Sequence, residues 1–237
     1  MDLKNIKSRE RELFDRWIDK RPNLIPDGLV NESLYFQTRY KIIYILKETN
    51  GVEVDFDLRH FLRNGARAAT WNNIAIWQYG LQNDSGNFSW KKLKNFLHDD
   101  NEVQFRKDQL GQIAAINVKK ETGGHTANGK EIYKVGEEDE NFIKEQLNLY
   151  DPDIIVCCGS VIGALVKYRG LVEPFDNWVQ SHVGVEYHLT KQLNSRGDQK
   201  LIINYCHPAA RVDDYMKYYP IISTVREIMA KNLHRRS

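Results

Sequence analysis

Three runs of consecutive apolar, largely β-branched residues stand out from an otherwise amphipathic chain. They are Ile42-Ile43-Tyr44-Ile45-Leu46, the stretch 112–118 (Gln-Ile-Ala-Ala-Ile-Asn-Val) and the stretch 153–158 (Asp-Ile-Ile-Val-Cys-Cys). Runs without polar alternation are the pattern of strands buried on both faces of a parallel sheet. The segments between them carry helical periodicity, which is the βαβ logic of an α/β protein. Upstream, residues 6–19 place Leu13, Phe14, Trp17 and Ile18 at helical spacing among Arg and Lys, and Arg21-Pro22 ends the pattern. Downstream, 183–189 and 201–205 read as a strand pair around the polar loop Asn194-Ser195-Arg196-Gly197-Asp198, and 215–233 as a terminal helix with a basic end. The expected architecture is a three-layer α/β/α sandwich with a central, mostly parallel sheet, in a single domain spanning 1–237 with the N-terminal helix (about 5–20) packed on it.

A length of 237 residues suits one well-filled core, and 41% hydrophobic with 28% charged residues is ordinary globular usage. No apolar run is long enough to span a bilayer, and the N-terminus has no readable secretory signal, so a soluble cytoplasmic protein is expected. Cys157 and Cys158 lie inside an apolar strand and Cys206 stands apart, a set that predicts structural thiols and offers no zinc or iron–sulfur spacing. Neither a cofactor nor a metal is expected. The net charge of +2 does not itself point to nucleic acid; local basic clusters must carry that argument.

In open parallel sheets ligands bind outside the carboxyl ends of the strands, so the strand ends are where chemistry is sought. The first runs into Lys47-Glu48-Thr49-Asn50-Gly51, a carboxylate and an amide before a turn-permissive glycine; alone, this is equally an ordinary charged turn. The second carries Asn117 inside an apolar strand, where its amide needs partners or a ligand edge, and continues through Lys119-Lys120 into Thr122-Gly123-Gly124-His125-Thr126-Ala127-Asn128-Gly129-Lys130. That stretch reads as a mobile glycine-rich loop able to follow a phosphate backbone, although charge with glycine is also common in plain surface loops. The third enters Gly159-Ser160, whose helix-opening amides suit a phosphate and whose serine alone reads as a simple N-cap. The last delivers Asn204-Tyr205-Cys206-His207-Pro208-Ala209-Ala210-Arg211, a histidine on a proline-held turn with an arginine after it. No G-x-G-x-x-G or G-x-x-x-x-G-K-[ST] fingerprint follows a strand, which argues against a generic nucleotide-binding protein.

In order and content these pieces, from about residue 42 to residue 211, resemble the uracil-DNA glycosylase superfamily. His207-Pro208-Ala209-Ala210-Arg211 is similar to the family's H-P-S-P-L or H-P-S-P-R motif, and the resemblance implies that His207 stabilises the leaving base while Arg211 wedges into the stack. Asn117 falls where the family's asparagine reads the flipped pyrimidine. Leu46-Lys47-Glu48-Thr49-Asn50 departs from G-Q-D-P-Y and G-E-A-P-G by lacking the leading glycine and the proline. Either Glu48 takes the place of the water-activating aspartate or it matches the glutamate one position earlier, with Asn50 a secondary polar group. Trp71 is the candidate to stack under the base, with Trp77 following in the same helical pattern and at least one of the two belonging to the core. The family's iron–sulfur branches need four cysteines, which this chain lacks.

The implied function is monofunctional hydrolysis of the N-glycosidic bond of a flipped-out base, uracil or a modified pyrimidine, leaving an abasic site. DNA is the expected partner, with Arg211, Lys119, Lys120 and Ser160 as its contacts, and no protein partner is readable. No lysine has an evident pocket position for a Schiff base, although Lys47 adjoins the motif. Asn50 and Gly51 stand where uracil-specific enzymes use a bulky tyrosine, so a second expectation is a defence enzyme excising a bulky 5-modified cytosine from phage DNA. A third is a non-catalytic DNA-binding member, motivated by the missing glycine and proline.

Overall fold

The computed structural model describes residues 3–52, 55–67, 69–83, 90–96, 101–124, 126–173 and 177–234. The chain opens with α1 (Leu3–Lys20), whose Ile6, Leu13, Phe14 and Trp17 are buried at helical spacing. β1 (Gly28–Leu29) and α2 (Glu32–Gln37) lead into β2 (Ile42–Leu46), in which every residue is buried. Then come β3 (Thr49–Asn50), α3 (Leu58–Arg63), α4 (Thr70–Gln82), α5 (Trp90–Phe96), α6 (Glu102–Leu110) and a second buried strand, β4 (Ala114–Asn117). β5 (Thr122–Gly123), α7 (Gly129–Glu138) and α8 (Glu140–Tyr150) precede β6 (Ile154–Cys158) and α9 (Ser160–Arg169). β7 (Val179–Gln180), β8 (Glu186–Leu193), β9 (Gln199–Tyr205) and α10 (Asp214–His234) complete the chain.

Seven strands form one sheet in the order β1-β4-β2-β6-β9-β8-β7. Its central members β4, β2, β6 and β9 are parallel, and β1, β8 and β7 add antiparallel edges. β3 and β5 pair separately as a short parallel ribbon. Because side chains alternate along a strand, Ile42, Tyr44 and Leu46 of β2 face α3, α4, α6 and α10, while Ile43 and Ile45 face α1, α7, α8 and α9. Helices therefore cover both faces, and the burial of each such isoleucine or leucine contributes about 1.5–3 kcal/mol. From β2 the chain moves to β4 on one side and then crosses to β6 on the other, so the strand order reverses at β2 and opens a crevice at the carboxyl ends there. No helix among the described residues is long and apolar enough to cross a membrane.

The sheet-forming runs lie where the hydrophobic pattern puts them, with two displacements. The expected strand 183–189 begins at Glu186, because residues 181–185 close a turn in which Gly184 N–H donates to Ser181 O and Ser181 N–H to Val185 O, both at 2.9 Å. The expected mobile loop at 122–130 is instead structured over most of its length. Thr122 and Gly123 are β5, and Asn128 caps α7 by accepting from the Lys130 and Glu131 amides, which draws Gly129 into the helix. His125 lies outside the described residues.

Candidate functional site

Residues from β2, β4, β6 and β9 meet along the carboxyl edge of the sheet. Parallel pairing continues past the strands, with Val118 N–H donating to Leu46 O and Lys119 N–H to Lys47 O, both at 2.9 Å. This extension holds Lys47 and Glu48 in register beside Asn117 and Lys119. The Glu48 side chain is only 3% exposed and pairs with Lys119 Nζ at 3.2 Å; Lys119 in turn pairs with Glu131 of α7 at 2.6 Å. Burial alone would lower the Lys119 pKa, but Glu131 and Glu48 outweigh it and hold it above the usual lysine value. A Cβ on Gly123 would fall inside the Glu48 carboxyl, so β5 is the floor on which this carboxylate lies. Asn50, by contrast, is exposed at the end of β3.

Asn117 is buried, and its side-chain N–H donates to Thr49 Oγ1 at 2.9 Å, tying it to the segment after Glu48. Its backbone N–H donates to Asp27 Oδ2 at 2.7 Å. Asp27 is the centre of a buried group: Lys120 Nζ lies 2.6 Å from Oδ1 and 2.8 Å from Oδ2, and also donates to Gln146 Oε1 at 2.8 Å. The same ammonium sits 4.7 Å from the Trp17 ring centroid. Lys120 is thus a core cation and no DNA contact, which corrects the expectation from sequence. Burial outweighs Asp27 and pulls its pKa below the ordinary lysine value. The sequence marks Pro26-Asp27-Gly28 only as a turn, and nothing local pairs Asp27 with a lysine 93 residues away.

His207 follows β9 on a turn fixed from two sides. Asn73 of α4 donates to Pro208 O at 3.0 Å, and the buried Lys217 of α10 donates to Ala210 O at 3.3 Å. Ala209 N–H donates to His207 Nδ1 at 3.1 Å, so the ring is an acceptor at Nδ1 and carries its proton on Nε2. Burial, and after it the Lys47 ammonium, hold the His207 pKa below the usual histidine value. Protonation would force a second N–H against Ala209 N–H. The turn's stabilisation is therefore fully present above the unfolded pKa of about 6.5 and is lost as pH falls through the lower folded value. Nitrogen chemical shifts at pH 7 should report the Nε2–H tautomer, with a titration midpoint below 6.5; an Nδ1–H ring would contradict the assignment.

Gly159 opens α9 at φ 106°, a conformation that favours glycine, and Ser160 is the exposed first helical residue, not the cap. Arg211 is exposed just past the His207 turn. Trp71 is half-buried against the core cluster that includes α4, and Trp77 is wholly buried, 5.2 Å from Tyr205 in an edge-on contact. A cleft of ≈ 790 Å³ has walls that include Val52, Phe56, Lys119, Thr122 and Glu131, but not Glu48, Asn117, His207 or Trp71. Phe56 is therefore the aromatic that the structure brings to the cleft, and sequence spacing overlooked it. No three or more His, Cys, Asp or Glu side chains among the described residues form a group able to hold a metal ion.

The chain matches no protein-family model, and no curated protein matches it as a relative.

Proposed function

We propose that the protein is a DNA glycosylase of the uracil-DNA glycosylase kind, hydrolysing the N-glycosidic bond of a base flipped out of DNA. One observation carries the reading: a buried carboxylate, a tethered amide and a neutral histidine with an Nε2–H arise from the carboxyl ends of β2, β4 and β9, on both sides of the point where strand order reverses. Cleavage builds positive charge on the sugar and negative charge on the base, so a carboxylate and hydrogen-bond donors placed apart suit the two halves of the transition state. In the proposed step a water oxygen bonds to C1′ and passes a proton to Glu48. The C1′–N electron pair leaves with the base, whose charge His207 Nε2–H receives. Asn117 reads the base edge, and Trp71 is the candidate for stacking on it.

A larger substrate has its own support. Gly51 has φ 58°, and no atom of the described residues lies within 4 Å of a Cβ position, so among them the place after the first motif is open. Excision of a 5-modified cytosine, in phage defence, is thus the second reading. The test is incubation with uracil-containing DNA and with phage DNA bearing modified cytosines, scoring free base and alkali-labile sites, with Glu48→Gln as control. Glu48-dependent release supports the glycosylase and names its base. Salt-sensitive binding without release from either DNA would leave a DNA-binding protein without catalysis.

A further inference from the structure

Lys47 is the strand-end cation to which the mechanism above gives no role. It follows β2 directly, and its Cε lies 3.8 Å from the point a Cβ on Gly159 would occupy, while His207 Cβ lies 3.7 Å from that same point. The missing side chain of Gly159 therefore lets the stem of Lys47 and the Cβ of His207 converge over this stretch of backbone. Of the buried lysines elsewhere, Lys120 has Asp27, Lys41 has Asp151 at 2.6 Å, and Lys217 has Asp214 at 2.7 Å, whereas Lys200 has no ion pair among the described residues. Lys119 at the neighbouring strand end has two carboxylates. No carboxylate among the described residues lies within ion-pair distance of half-buried Lys47. Its charge helps keep the His207 ring neutral, and that ring is proton-donating at Nε2. A half-desolvated ammonium beside an N–H donor, with no anion of its own, is complementary to a negative group supplied from outside.

We propose that Lys47 and His207 form an anion-binding notch over Gly159, and that Lys47 neutralises negative charge on the DNA substrate. The inference rests on the glycosylase reading for the identity of the ligand, but not for the existence of the notch. Two sources share this chemistry: the anionic base as it departs, and a backbone phosphate beside the flipped sugar.

The test begins with free protein and inorganic phosphate, following the His207 imidazole resonances. Wild type is expected to show a saturable shift that Lys47→Gln loses, and the His207 midpoint in Lys47→Gln is expected to rise. A wild-type shift of zero, or one retained in full by Lys47→Gln, overturns the notch. Lys47→Arg keeps the charge and should keep the shift, which separates loss of charge from damage to the fold. Duplex binding then distinguishes the sources. If the ligand is a backbone phosphate, the slope of log K against log salt falls by about 1 in Lys47→Gln. If it is the departing base, the slope is unchanged and the loss, about 10-fold or more, appears in single-turnover base release. Phosphate binding without base release from any DNA would keep the notch while removing the glycosylase. Base release that Lys47→Gln leaves untouched, together with an unchanged slope, would remove Lys47 from the site while keeping the glycosylase.

Discussion

Glu48→Gln should lower single-turnover base release by about 10²- to 10⁴-fold, the usual range for losing a positioned acid or base, with the fold retained. The amide matches the carboxylate in shape, and Lys119 keeps Glu131 as its partner, so the change removes charge with little loss of packing. A second variant reaches the same carboxylate without altering it. Gly123→Ala puts a methyl group where the Glu48 carboxyl now lies, forcing that group off the β5 floor. A misplacement of about 1 Å can cost 10²-fold in rate, so Gly123→Ala should approach the loss seen in Glu48→Gln. If both variants release base at the wild-type rate, Glu48 has no part in the chemistry. If only Gly123→Ala is active, the carboxylate works from a different position.

Asp27→Ala should destabilise the protein by about 3–5 kcal/mol in urea unfolding, because it strands a buried ammonium. The carboxylate holds Lys120 through both oxygens, accepts from Gln146 Nε2 at 3.0 Å and accepts from the Asn117 backbone N–H. Removing the cation as well, in Asp27→Ala with Lys120→Met, should recover much of the loss, since the uncompensated charge is what costs most. A loss below about 1 kcal/mol in the single variant would mean that water or another side chain replaces Asp27. In the double variant Asn117 still lacks its backbone acceptor, so any remaining defect in base reading measures how far Asp27 positions the strand end.

The sheet was legible because its strands are buried on both faces. Ile42 to Leu46 is a run that has no polar face to hide, and β2 occupies those same residues. Two-residue elements such as β1 and β3 carry no periodicity and become strands only through their neighbours. His207 and Asn117 were legible as site candidates for a local reason: a proline-held turn and a lone amide in an apolar run both demand explanation. Lys120 was misread because a lysine in sequence looks solvated, and its burial depends on an aspartate far along the chain. Asn73 and Lys217, which brace the His207 turn, left no mark at all, since an asparagine early in a helix and a lysine in another look ordinary until the turn is placed between them.

The position of β2 between β4 and β6 also sets an order of events at synthesis. When Lys47 and Glu48 leave the ribosome neither neighbouring strand exists; β4 arrives near residue 114, β6 near residue 154, and the His207 turn only after β9 ends at Tyr205. Until β4 arrives the apolar β2 run has two unpaired edges, and until β6 arrives it keeps one, the condition in which nascent chains aggregate or recruit chaperones. The candidate edge is therefore among the last features to assemble, and truncated chains ending before β6 would carry an exposed adhesive strand.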